Sequence, residues 1–188
     1  MAFPERHFYE VVPVSSFDDA IQVVLEHEGH FVNDPVDPGG ATKYGISLRF
    51  LKSIDEGDFD FDGDIDVDDI RSMNIDAAIN IYREHWWDKY KYGFIEDQDL
   101  ATKLFDLSVN MGARQAHKLL QRGCIALGRT LKVDGIIGDK TLYAIDHIDE
   151  ECLIGCLRSE AAGFYRTLIA ANRKYKKYER GWLTRAYD

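Results

Sequence analysis

The chain has 188 residues, of which 45% are hydrophobic and 12% aromatic, and its formal net charge is −10. That composition supplies enough apolar side chains for a buried core and excludes an intrinsically disordered chain. The acidic balance argues against a nucleic-acid partner, and because no run of about 18 apolar residues occurs, the sequence predicts no membrane-spanning helix.

Apolar residues recur at three- and four-residue spacing and no convincing period-two run appears, which predicts an all-α protein. A first helix is predicted to start at Ser16, which makes a capping-box-like pair with Asp19, and to end at Glu28, just before Gly29. Residues 30–46 are rich in proline, glycine and Asn-Asp turn formers, so a turn-rich loop or a short hairpin is predicted there.

The rest of the chain is predicted to be helical as well. Helices are expected over residues 47–52, 67–73, 75–90, 98–127, 140–148 and 151–177, with Gly112 as the candidate break in the longest of them. The pattern divides near residues 95–101 into two halves, 1–97 and 98–188. We expect the two halves to pack closely against each other.

Glu28 is the first candidate catalytic residue. At 100° per residue it falls within the apolar stripe of the first helix, whereas Glu26 points away from that stripe. The negative end of the helix dipole and apolar neighbours would both raise the pKa of its carboxyl group, and a general acid must be protonated near neutral pH. From the spacing alone, an idle glutamate at a frayed helix end is the simpler alternative.

Asp37 and Thr42 follow Glu28 by nine and fourteen residues and are its candidate partners. A carboxylate and a hydroxyl group placed opposite an acid can orient an attacking water, as in inverting glycosidases. Asp37 also precedes a proline, so ordinary turn chemistry is the alternative explanation for it.

The stretch EGHFVNDPVDPGGATKYGIS, residues 28–47, resembles the signature EGGYVNDPxDPGGxTxxGIT of glycoside hydrolase family 108, which contains bacterial and phage N-acetylmuramidases. His30 and Phe31 stand where the family usually has glycine and tyrosine. The resemblance implies that Glu28 is the catalytic acid. The order Glu28, Asp37, Thr42 also resembles the Glu–Asp–Thr set of phage-type lysozymes, with one residue fewer between the last two.

The resemblance extends beyond this signature. FDLSVNMGARQAHKLLQ at 105–121 and VDGIIGDKT at 133–141 are similar to the peptidoglycan-binding-type segment of the family, and GWLTRA at 181–186 is similar to its C-terminal end. The resemblance implies a lysozyme-like helical fold, with a catalytic part over 1–97 and a peptidoglycan-binding-type part over 98–188. The implied reaction is hydrolysis of the β-1,4 bond between N-acetylmuramic acid and N-acetylglucosamine. Tyr44, Trp86 and Trp87 are candidates for stacking on sugar rings, and core packing is the alternative for them.

Residues 58–69, DFDFDGDIDVDD, hold seven aspartates in twelve positions. Their spacing resembles an EF-hand-type calcium loop, in which alternate side chains converge on one ion and Gly63 permits the sharp turn. Position 12 is aspartate rather than the longer glutamate, as in dockerin-type loops. We expect a structural Ca²⁺, and a solvated acidic loop is the alternative. The candidate ligands are Asp58, Asp60, Asp62, Asp64, Asp66 and Asp69.

The C-terminal segment is basic, with seven Lys and Arg residues against two acids between Arg166 and Asp188. Contact with anionic outer-membrane components or lipid is one explanation, and a packed helix whose cations stay in water is the other. The N-terminus lacks the pattern of a signal peptide. We expect a monomeric endolysin that binds peptidoglycan and stays in the host bacterial cytoplasm until its release to the wall or periplasm.

Two other classes of function stay open. A non-catalytic module that binds the wall or assists secretion would need no acid at position 28. A lytic transglycosylase would cut the same bond but leave a 1,6-anhydro end, so the reducing end of the products separates it from a hydrolase.

Overall fold

The computed structural model describes residues 13–27 and 40–188. Within those residues the chain is helical apart from one small antiparallel sheet, which confirms the predicted all-α, lysozyme-like class. The elements in chain order are α1 Phe17–His27, β1 Thr42–Lys43, β2 Ile46–Ser47, α2 Leu48–Leu51, α3 Val67–Ser72, α4 Ile75–Tyr82, a π-helical turn Arg83–Asp88, a 3₁₀ turn Tyr92–Phe94, α5 Gln98–Met111, α6 Ala113–Ala126, α7 Asp139–Ile145, α8 Glu150–Ala171, a 3₁₀ helix Arg173–Tyr178 and α9 Glu179–Tyr187.

Helix α1 starts where the sequence predicts. The Ser16 side chain accepts a hydrogen bond from the Asp19 N–H at 3.2 Å, which satisfies one of the unpaired donors of the first turn. The second bond of a capping box would join the Ser16 N–H to the Asp19 side chain. In the structure the Ser16 N–H donates to Gln98 Oε1 at 2.6 Å instead. This bond ties the start of α1 to the start of α5.

Helix α5 is the central element of the fold. It packs against α1 on one side and against α6 and α8 on the other. The predicted break before α6 is confirmed at Gly112, whose φ of 87° few other residues tolerate. One hydrophobic core runs through both halves of the chain, from Phe17 and Ile21 in α1 to Tyr165 in α8 and Ala186 in α9.

The loop before α7 is held by polar side chains of α6. Gln121 is buried, and its amide donates to Asp134 Oδ1 at 2.9 Å while its carbonyl accepts from the Gly135 N–H at 2.9 Å. His117 Nδ1 bonds the Gly135 carbonyl at 3.0 Å. Residues 133–138 of the VDGIIGDKT stretch therefore form a loop fixed to α6 by hydrogen bonds that rigidify it, and the last three residues of the stretch begin α7.

Helix α8 is the longest element, with 22 residues. No helix in the described part of the chain combines the length and the apolar character that a bilayer crossing requires.

Candidate active site

The candidate acid follows directly on the last described residue of α1. Glu28 and Asp37 lie outside the described residues, so their predicted roles stay predictions. The helix that leads to Glu28 buries Phe17, Ala20, Ile21 and Val24, as the predicted apolar stripe requires. The packing of these residues in the core therefore fixes the position of the C-terminal end of α1.

A buried ion cluster holds that end of α1. His27 Nδ1 lies 3.0 Å from Oδ1 of Asp106, an α5 residue whose side chain is only 1% exposed. Arg185 of α9 places Nη1 at 3.7 Å from the same oxygen, and its side chain is 6% exposed. The Lys103 ammonium donates to the Arg185 carbonyl. Helices α1, α5 and α9 thus meet through charged groups just before Glu28.

The hydrogen bond to Asp106 raises the pKa of His27 above its ordinary value, although partial burial opposes this. His27 Nε2 also lies 3.7 Å from the Asp188 carboxylate. A protonated histidine can therefore bridge two acids at this helix end. Sequence reasoning missed the cluster. Its one signal was an aspartate, Asp106, inside the apolar run LFDL.

The hairpin after the candidate loop carries Thr42 and Tyr44. Strands β1 and β2 pair in antiparallel register, Thr42 with Ser47 and Lys43 with Ile46. The turn between them is Tyr44-Gly45, with φ of 51° and 79°, which matches the primed turn of a two-residue hairpin. Thr42 and Tyr44 are both half-buried. Of the predicted segment 30–46 the structure describes residues 40–46, which form the short hairpin, one of the two predicted alternatives, together with Ser47.

The hairpin is fixed from two sides. The Tyr82 hydroxyl in α4 donates to the Tyr44 carbonyl at 2.8 Å. Lys43 Nζ donates to the Arg71 carbonyl in α3 at 2.5 Å. The position of Thr42 therefore depends on α4 and on the helix that follows the acidic loop.

The two candidate tryptophans have different surroundings. Trp86 is half-buried and packs against Phe50 and Tyr82, with ring centroids 4.7 Å and 5.4 Å away. Trp87 is 4% exposed and lies in the core beside Phe17 and Phe105. Burial favours the core-packing alternative for Trp87 and leaves part of Trp86 available to a ligand.

The acidic loop has several features of a calcium-binding loop. The Gly63 N–H donates to Asp58 Oδ2 at 3.2 Å across the turn, and Gly63 has a φ of 96°. Asp66 caps α3 by accepting from the Asp68 N–H. Ile65 is half-buried and packs against the core. The turn at Gly63 thus folds the loop so that several of its carboxylates lie close together.

Carboxylate oxygens of the loop fall into two overlapping groups, Asp58–Asp60–Asp69 and Asp64–Asp66–Asp69, each within 4.8 Å. Asp69 is 1% exposed and accepts from the backbone N–H groups of Phe59, Asp60 and Asp66. Burial alone would raise the pKa of Asp69, but these bonds outweigh it and lower that pKa. Asp62, the sixth predicted ligand, lies in neither group.

Two further observations concern a cation in this loop. Among the described residues, the buried Oδ1 of Asp58 has no hydrogen-bond partner. The negative charge of Asp62 raises the pKa of Asp64. An oxygen that lacks a donor and the mutual repulsion of neighbouring carboxylates are both consistent with a divalent cation, and the hard oxygen donors fit Ca²⁺.

A groove of about 470 Å³ lies between α6 and α8, and its lining includes Glu151 and Glu160. Nine residues on one helix separate the two acids by about 13.5 Å along the axis. That exceeds the separation of roughly 5–9.5 Å between paired glycosidase carboxylates. Glu160 also lies 3.8 Å from Arg122. The spacing of these two acids therefore gives no support for a glycosidase site in the groove.

The described residues form a lysozyme-like helical protein with one short hairpin at residues 42–47. Comparison with protein families finds two matches. Residues 21–112 match the family model described as Glycosyl hydrolase 108, and residues 115–187 match the model described as Predicted Peptidoglycan domain. These two matches support a glycoside hydrolase with peptidoglycan as its partner.

Among solved structures, Brucella abortus SagA is similar to this chain, with a TM-score of 0.72. The two sequences are 26% identical, and the match covers 90% of this chain and 88% of that one. The similarity thus spans both matched domains. No curated protein matches the chain.

Proposed function

We propose that the protein is an N-acetylmuramidase that hydrolyses the β-1,4 bond between N-acetylmuramic acid and N-acetylglucosamine. The observation that carries the proposal is the family match over residues 21–112, which contains the signature stretch 28–47. Two contacts support it, because His27, which precedes the stretch, is held by the buried Asp106 and the hairpin at its end is held by the buried Tyr82.

In the proposed mechanism Glu28 protonates the bridging oxygen while the sugar develops oxocarbenium character. Asp37 and Thr42 orient the attacking water. Tyr44 and Trp86, both partly exposed, stack on the sugar rings. We leave Trp87 out of this set because its ring is occupied by core contacts.

The test is Glu28→Gln, with Glu26→Gln as the matched control. Glu26 is exposed in α1 and stands two residues before Glu28 in the sequence. Clearing of permeabilised bacterial cells should be lost in the first variant and kept in the second. Products of the wild type should carry reducing muramic acid. Clearing by a folded Glu28→Gln protein would contradict the catalytic assignment, and 1,6-anhydro ends would indicate a lytic transglycosylase.

The proposed biological role is that of a phage-type endolysin, acting as a monomer and held in the cytoplasm until its release to the wall. The match of residues 115–187 supports contact with the wall polymer. The same assay addresses the rival wall-binding module. Such a module would sediment with cell walls without clearing them, whether or not Glu28 is replaced.

We further propose that the acidic loop holds one structural Ca²⁺, with ligands drawn from Asp58, Asp60, Asp62, Asp64, Asp66 and Asp69. The ion would neutralise a cluster of like charges and stiffen α3, which bonds to Lys43 in the hairpin. Its role is therefore in stability and hairpin position rather than in bond cleavage.

Calcium should raise the melting temperature. At a concentration 100-fold above the dissociation constant, binding adds about 2.7 kcal/mol, or roughly 5–10 °C for a domain of this size. Asp58→Asn should remove most of this shift. Asp68→Asn is the control, since Asp68 lies in the loop but pairs with Arg71 at 2.5 Å. Equal melting temperatures in EDTA and in millimolar calcium would refute the proposal.

A further inference from the structure

The 3₁₀ helix Arg173–Tyr178 and the first residues of α9 form a basic, tyrosine-bearing surface, here called the basic segment, residues 173–180. None of the six residues of the 3₁₀ helix is buried. The segment holds five cations against the single acid Glu179, in a chain whose net charge is −10. A strong positive field therefore sits on one exposed piece of an acidic protein. The cations are Arg173, Lys174, Lys176, Lys177 and Arg180.

The 3₁₀ geometry sorts the side chains by face. With three residues per turn, Tyr175 and Tyr178 lie in one column and the cations fill the other two. Both tyrosine rings contact Trp182, at 5.7 Å and 5.4 Å between centroids, yet they stay 38% and 42% exposed. The tyrosines are therefore held in place while part of each ring faces solvent.

The support beneath these rings reaches the core. Trp182 stacks on the buried Tyr165 ring at 5.1 Å and 24°. The Tyr165 hydroxyl donates to Asn110 Oδ1 in α5 at 2.7 Å. A surface backed in this way loses little side-chain entropy when it binds a ligand, which favours binding.

The cations differ in how far they are already used. Lys176 lies 2.5 Å from Glu179, and Lys177 lies over the Tyr178 ring at 4.7 Å. Within the described residues, no ion pair is found for Arg173, Lys174 or Arg180. Arg173 and Lys174 are neighbours at the start of the 3₁₀ helix, so together they offer a negatively charged ligand two adjacent charges.

We propose that the basic segment binds the peptidoglycan strand, with Arg173 and Lys174 on stem-peptide carboxylates and Tyr175 and Tyr178 against sugar rings. This rests on the proposed function in taking peptidoglycan as the polymer. The charge of the segment complements that anionic polymer, and the segment lies within the matched peptidoglycan domain.

The structure favours this polymer over an anionic bilayer. Segments that lie in a membrane interface bury Trp, Phe or Leu in the lipid. Over residues 173–188 the exposed large apolar side chains are all tyrosines, and those at 175 and 178 rest on Trp182. The segment presents cations and aromatic rings but no exposed aliphatic side chain that could insert into a bilayer.

The experiment measures sedimentation of the full-length protein with purified peptidoglycan sacculi, in a Glu28→Gln background. The test variant is Arg173→Gln/Lys174→Gln. The control is Lys52→Gln/Lys132→Gln, which removes the same charge from exposed positions outside the segment. We expect about tenfold weaker binding for the test variant at low salt and less than twofold for the control. Tyr175→Ala/Tyr178→Ala should also weaken binding, with folding checked by thermal melting.

Unchanged sacculus binding in the test variant would overturn the proposal. So would loss of binding to phosphatidylglycerol vesicles by that variant while sacculus binding is kept, since the segment would then be a lipid contact. Clearing of cells is measured separately on the protein with Glu28 intact. A protein that binds sacculi through this segment without clearing them would refute the muramidase proposal and leave this one standing.

Discussion

The buried carboxylate of Asp106 gives the sharpest stability prediction. Asp106→Asn keeps the shape of the side chain but removes the charge that faces His27 at 3.0 Å and Arg185 at 3.7 Å. Breaking a buried ion pair by removing one partner costs about 3–5 kcal/mol. Arg185 keeps other contacts, so we expect the lower end, about 3 kcal/mol, or roughly 6–12 °C in melting temperature.

The loss of stability caused by Asp106→Asn should depend on pH in a defined direction. The pKa of His27 is raised in the folded protein by its hydrogen bond to Asp106. Its ionic contribution to folding is therefore complete below the unfolded value of about 6.5 and is lost as pH rises through the folded pKa. Among the described residues, the charged groups that act on His27 are Asp106, Arg185 and Asp188. The difference between wild type and Asp106→Asn should be larger at pH 5.5 than at pH 9.

The assay is thermal unfolding at these two pH values, with Asp99→Asn as the control. Asp99 is exposed in the first turn of the same helix, so its loss should cost at most about 1 kcal/mol through the helix dipole. A melting temperature of Asp106→Asn equal to that of the wild type would refute the ion-cluster argument. A gap that is constant between pH 5.5 and 9 would refute the part assigned to His27.

Two further substitutions test the hairpin and the α6 loop. Tyr44→Asn places a residue that favours positive φ in the turn, so the melting temperature should hold or rise. The KM for cell walls should increase, because the ring proposed to stack on a sugar is lost. A lower melting temperature with an unchanged KM would contradict both expectations. Gly135→Ala should lower stability by about 2 kcal/mol or more, as measured by urea unfolding, because φ is 79° and a Cβ atom would lie 2.6 Å from the Arg114 carbonyl oxygen. Gly138→Ala, with open space at the Cβ position, is the control, and equal costs for the two would contradict the steric argument.

Much of the fold could be predicted because local signals and burial agree. The start of α1 is set by Ser16, the break between α5 and α6 by Gly112, and the exit helix of the acidic loop by Asp66 as its N-cap. Each signal is a side chain or a φ angle that acts within four residues. Such short-range chemistry can be inferred from a sequence without knowledge of the tertiary fold.

The ion cluster could not be predicted, because it depends on long-range contacts. Asp106 meets His27 from 79 residues away, and Arg185 joins them from the other end of the chain. Nothing in the local sequence pairs these residues. The π-helical turn Arg83–Asp88 was missed for a related reason, since its aromatic side chains pack against partners in three different segments.

The same contacts bear on how wall binding and bond cleavage are combined. The basic segment rests on Trp182, Trp182 rests on Tyr165, and Tyr165 bonds Asn110, which stands one helical turn after Asp106 on α5. Asp106 in turn holds His27, the residue before Glu28. Close-packed contacts of this kind hold the residues that they connect at fixed positions relative to one another. A strand held at the proposed binding surface would therefore lie at a fixed distance from the end of α1, so the C-terminal half would help to set which bond of the polymer is presented for cleavage.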